Sequence, residues 1–176
     1  SLADTDSWDA AGTAFVDDRL PLGLHDLVAS AELPNGDVLT YTAGGIRVQH
    51  PLGGTYAGFF SATGTVQTFS FTCSGAALLR TGPVAELAIG NGDCTASLIV
   101  FDLPLDWRFD LEVDPVTGTL AGTAGAAILG PITYDFPASG TIDASRVRFD
   151  WGGTVPFIQF GVDASLDADR VSDDTL

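Results

Sequence analysis

At 176 residues the chain is the size of one domain, and 45% hydrophobic residues supply a sizeable core that does not depend on staples. Its 23 acidic side chains face seven basic ones, all arginine, for a net charge of -16 with no lysine. Such a surface repels nucleic acid and anionic lipid, and the missing lysine removes Schiff-base, pyridoxal-phosphate and Walker-type phosphate chemistry together.

The first ten residues, Ser1 to Ala10, are polar and Asp-rich and read as a flexible acidic arm. Residues 11–169 read as a single β domain, and Arg170 to Leu176 as a flexible tail. Within the domain, Leu27 to Leu33 and Val38 to Ala43 are strand-like runs joined by Pro34-Asn35-Gly36-Asp37, a strong hairpin signal. Thr55 to Ala62, Thr65 to Cys73, Val84 to Ile89 and Cys94 to Leu103 follow as strands, with Asn91-Gly92-Asp93 read as a second turn.

Period-two alternation is cleanest further on. From Asp106 to Asp114, Trp107, Phe109, Leu111 and Val113 share one face, while Arg108, Asp110, Glu112 and Asp114 share the other. Asp114-Pro115-Val116-Thr117-Gly118 supplies a turn into Thr119 to Ile128. Pro131 to Phe136 is a further strand. From Arg146 to Trp151, Val147, Phe149 and Trp151 alternate with charged residues; from Phe157 to Leu166, Ile158, Phe160, Val162, Ala164 and Leu166 align. Amphipathic helical runs are absent. The expectation is an all-β antiparallel barrel, or barrel-like β-sandwich, of about ten to twelve short strands.

Leu22-Gly23-Leu24-His25-Asp26-Leu27-Val28, then Leu33, Gly36 and Thr42-Ala43-Gly44 to Val48, resembles the opening hairpin of allene-oxide-cyclase-type barrels. The resemblance implies a barrel with an apolar lumen and assigns no catalytic residue.

Cys73 and Cys94 are the only cysteines, spaced too far apart for C-x-x-C redox chemistry and too few for a zinc site, so a disulfide is expected. The bridge, a first residue that is not methionine and the composition together point to a secreted or periplasmic protein. The acidity fits either a high-salt habitat or an exported protein kept soluble by aspartate; the scarcity of glutamate favours the second. No apolar stretch is long enough for a membrane-spanning helix.

Catalytic signals are sparse. His25 and Asp26 are neighbours, which in a strand point to opposite faces; His50 precedes Pro51 in a turn-like context. No G-x-S-x-G elbow exists, and Ser74, Ser139 and Ser145 sit beside no base. The row Asp110, Glu112 and Asp114 has the composition of a glycosidase pair but reads as a solvated face balanced by arginines. Calcium is the metal that the acidic clusters suit, at Asp163, Asp167 and Asp169 or at Asp4, Asp6 and Asp9, although neither carries an EF-hand pattern.

The strand aromatics Phe69, Phe71, Phe101, Trp107, Phe109, Phe149, Trp151 and Phe160 are the candidate ligand-binding residues. Three functions remain. The leading expectation is a non-enzymatic protein holding an apolar small molecule or lipid in a barrel pocket. The second is a carbohydrate-binding or surface-adhesion module, with exposed aromatics such as Trp8 or Trp151 stacking on sugars. The third is a cofactor-free barrel cyclase.

Overall fold

A computed structural model describes residues 22–98, 102–128, 133–155, 157 and 159–176. The expected acidic arm with Asp4, Asp6, Trp8 and Asp9 lies outside the described residues, as do Phe101, Pro131 and Ile158. The chain is all-β: β1 (Gly23–Glu32), β2 (Val38–Val48), β3 (Thr55–Val66), β4 (Phe69–Thr81), β5 (Leu87–Ser97), β6 (Asp102–Val113), β7 (Thr119–Ile128), β8 (Thr133–Ile142), β9 (Arg146–Val155) and β10 (Phe160–Ser172).

It divides into two compact units between Val48 and Gln49. The first contains the β1–β2 hairpin, in register from Glu32↔Val38 to Gly23↔Val48 with a shift between His25 and Leu27. Its turn is built by the residues that announce it. The Asp37 N–H donates to Asn35 Oδ1 (3.0 Å), and Gly36 takes a φ of 86°, a conformation that costs glycine little.

The second unit is an eight-stranded closed antiparallel barrel, a meander from β3 to β10 that closes by pairing β10 with β3. Alternation explains the closure. On β6 the inward residues Leu103, Leu105, Trp107, Phe109, Leu111 and Val113 are all buried, and Pro104, Asp106, Arg108 and Glu112 between them are exposed. The same holds for Val147, Phe149 and Trp151 on β9 and for Phe160, Val162, Ala164, Leu166 and Ala168 on β10. Apolar residues thus face the lumen and charged residues face out, the reverse of a lipid-facing barrel.

The lumen is filled by rings rather than left open. Centroid separations run from Phe149–Phe109 (5.1 Å) through Phe109–Trp151 (5.2 Å), Trp151–Trp107 (5.3 Å), Trp107–Phe136 (6.0 Å) and Phe136–Phe160 (6.0 Å) to Phe160–Phe71 (5.7 Å). Phe60 joins this column against both tryptophans. One end of the barrel is closed by polar contacts. The Arg170 guanidinium reaches the carbonyls of Pro51, Gly53 and Ala144, and the buried Tyr56 hydroxyl lies 3.0 Å from the Leu52 carbonyl and 3.1 Å from that of Asp143. Burial raises the Tyr56 pKa above its ordinary value, so the phenol stays protonated and keeps donating.

Toward the other end the cylinder splits along two seams. β4 and β5 pair only from Ala77↔Gly92 to Thr81↔Ala88, and β8 and β9 only from Ala138↔Trp151 to Ile142↔Val147. Beyond those points β5–β8 form one four-stranded sheet and β9, β10, β3 and β4 another. The second unit is therefore a barrel that opens into a sandwich. The Cys73–Cys94 disulfide, with Cα atoms 5.8 Å apart, crosses the β4/β5 seam just where ladder pairing has stopped.

Some expected boundaries move. Asn91-Gly92-Asp93 is the middle of β5 rather than a turn, and Cys73 and Cys94 sit inside strands rather than beside turns. Gly92 is there because its position faces inward: a Cβ would lie 2.9 Å from the Phe60 ring and 3.0 Å from the Ala76 carbonyl. Leu87 to Ile89 of one expected strand and Cys94 to Ser97 of the next are continuous in β5, and Leu103 belongs to β6. Thr65 belongs to the end of β3, which runs to Val66, instead of starting the next strand, because the hairpin turn is Gln67-Thr68.

Candidate functional site

A groove with a volume of about 660 Å³ lies on the outer face of β8, β9, β10 and β3. Register assembles it. Ser139, Asp150, Ser165 and Ser61 stand side by side across the four strands, one outward residue from each. The next row is Gly152, Asp163 and Thr63. On β8 the residue next to that row is Pro137, which has no N–H to continue the ladder, and the β8/β9 seam begins at this level. The concavity comes from small side chains flanking Gly152, where a Cβ would fall 2.7 Å from the Val162 carbonyl and 2.8 Å from an Asp163 carboxylate oxygen.

The groove therefore presents four hydroxyls and two carboxylates, and among the described residues no arginine lines it. The hydroxyls of Ser61 and Ser165 lie 3.5 Å apart, at the limit of hydrogen bonding, so both retain capacity for a guest. Phe59, two residues before Ser61 and on the same outward face, is 75% exposed. An aromatic ring left in water beside a row of hydroxyls is unusual for a charged outer sheet and supplies an apolar platform at the groove's edge.

The sequence-selected aromatics divide. Phe71, Trp107, Phe109, Phe149, Trp151 and Phe160 are lumen residues in mutual contact. Phe69 is 37% exposed at the start of β4. The indole N–H groups of Trp107 and Trp151 are buried and have no hydrogen-bond partner among the described residues. Two further described grooves also lie on the outer face, one over β5–β7 and one over β4–β6.

The three aspartates chosen for calcium do not act together. Asp163 lines the groove, whereas Asp167 is held by Arg146 and Arg148, and Asp169 stands 3.6 Å from Arg146. The hydrogen bond from Arg146 holds the Asp167 carboxyl below its usual pKa. Among the described residues no three His, Cys, Asp or Glu side chains converge as a metal site. Asp110, Glu112 and Asp114 follow the outer side of β6, with Asp110 3.0 Å from Arg108 and Asp114 capping its own turn through the N–H of Val116. His50 Nδ1 accepts from the Leu52 N–H in the turn before β3.

Phe59 and the four-strand row escape sequence reasoning for different reasons. Phe59-Phe60 reads as a pair of core residues until alternation assigns one ring to each face. The row joins residues far apart in the chain, and only register brings them together. No family model, curated protein or solved structure matches the chain.

Proposed function

We propose that the protein is an exported, non-catalytic glycan-binding module whose sugar site is the outer groove of β8, β9, β10 and β3. One observation carries this reading: hydroxyls and carboxylates from four strands converge in a groove beside an exposed aromatic ring. Sugar hydroxyls both donate and accept, so Ser61, Ser139, Ser165 and Thr63 can do either, and Asp150 and Asp163 accept. The apolar face of a pyranose ring stacks on Phe59. With two carboxylates and no arginine in the described lining, the groove favours neutral over acidic sugars. The disulfide is consistent with an oxidising compartment.

Affinity electrophoresis and a glycan array test this directly. Asp150→Asn and Phe59→Ala should each weaken binding about tenfold, the order expected for one charge-assisted hydrogen bond or one aromatic contact. Absence of binding to any neutral polysaccharide, or variants that bind like the parent, would remove the reading.

A second reading, an apolar guest in the lumen, is favoured by the two unpartnered indole N–H groups on Trp107 and Trp151. It requires the ring column to part at the β8/β9 seam. Saturable quenching of tryptophan fluorescence by a carbonyl-bearing apolar compound, retained in Phe59→Ala, would support it over the groove.

A further inference from the structure

The groove over β4, β5 and β6, about 510 Å³, carries chemistry opposite to that of the sugar groove. Cross-strand register lays out its floor as two rows: Leu78, Asn91 and Arg108, then Arg80, Ile89 and Asp110. Leu176 forms a further wall, its N–H donating to the Thr81 carbonyl beside Arg80. Asn91 and Ile89 thus form the middle, with Arg80 and Arg108 at two diagonal corners and Leu78 beside Arg80 on β4.

The arginines differ in a way that identifies the functional one. Among the described residues of the barrel, Arg108, Arg146, Arg148 and Arg170 each have a carboxylate within ion-pair distance. Arg80 has none. Among the described arginines only Arg47, on β2 of the first unit, shares this, so Arg80 is the one arginine of the described barrel without an acid. Asp110, the carboxylate in its own row, sits two strand spacings away, about 10 Å, and already holds Arg108 at 3.0 Å. A guanidinium offers a planar fork matched to a carboxylate, and here it borders apolar surface that a hydrocarbon chain would cover.

We propose that this groove is a binding site for an amphiphilic carboxylate, a medium-chain fatty acid in chemical class. Arg80 holds the carboxylate, and Leu78, Ile89 and Leu176 contact the chain. The site is separate from the sugar groove and does not depend on it.

Isothermal titration with decanoate below its micelle concentration tests the proposal, with decanol and decyltrimethylammonium as matched probes. Saturable decanoate binding is expected, at least tenfold tighter than either probe. Arg80→Gln should weaken it at least tenfold and Arg80→Lys less. Arg108→Gln should weaken it less than Arg80→Gln does, because Arg108 is already engaged by Asp110. An exposed arginine without a partner is dispensable for folding, and thermal melts of the variants verify that. Equal binding of decanol, an unaffected Arg80→Gln, a larger loss in Arg108→Gln, or no saturable binding would overturn the assignment.

Discussion

Asp143 links the turn after β8 to the closed end of the barrel. Its Oδ1 accepts from the Ser145 hydroxyl and N–H, both at 2.7 Å, and from the Arg146 N–H at 2.8 Å, while its carbonyl faces the Tyr56 hydroxyl. The bond from the Ser145 side chain is the foremost cause that lowers the Asp143 pKa, followed by the Ser145 backbone. A carboxyl whose folded-state pKa is depressed contributes stability above its unfolded pKa, near 4, and loses that contribution as pH falls through the folded value. Asp143→Asn should therefore be less stable than the parent at neutral pH, with the gap narrowing below about pH 4. Urea titrations at a series of pH values measure it; a gap that stays constant to pH 2.5 would show that the carboxylate charge plays no part. The motif is readable locally as Asp-x-Ser-Arg, yet its partnership with Tyr56 is not, because 87 residues separate the two.

Strand content and facing were legible wherever alternation ran unbroken, as on β6, β9 and β10, because one wet and one dry face leave a period-two record. The record fails at Asn91-Gly92, whose composition signals a turn but whose glycine makes room for Phe60. Pairing between strands is not encoded locally at all, so neither the two seams nor the four-strand groove could be read. The disulfide shows the same gap: its existence followed from counting cysteines, but its place did not. Cys73 and Cys94 join β4 to β5 where backbone pairs no longer do, so the bridge is the covalent tie between the two sheets on that side. Its loss should cost about 3 kcal/mol on loop-entropy grounds. Hydrogen exchange in Cys73→Ser/Cys94→Ser should quicken first at 69–76 and 93–97, ahead of the paired segment at Ala77–Thr81. Uniform exchange along β4 would mean that the seam is held by packing alone.

For the molecule as a whole, the arrangement of charge matters more than its sum. Arg146, Arg148 and Arg170 serve the closed end, tying β9 to β10 and bracing the segment before β3. Elsewhere on the outer face carboxylates outnumber arginines, and on β5 and β6 Asp93 and Asp106 stand directly opposite each other. Like charges in that position oppose folding by roughly 0.2–1 kcal/mol, and screening weakens the effect. With a net charge of -16, self-repulsion acts across the barrel surface as well. Added NaCl should accordingly raise the melting temperature between low and physiological ionic strength. Asp106→Asn should raise it at low salt and by less at 0.5 M, since the variant removes a local repulsion that salt already screens. The comparison separates two origins of acid-dominated instability. A Tm that rises equally with salt in parent and variant would locate the repulsion in the global charge. A Tm that salt does not move in either protein would mean that neither source acts on the folded barrel.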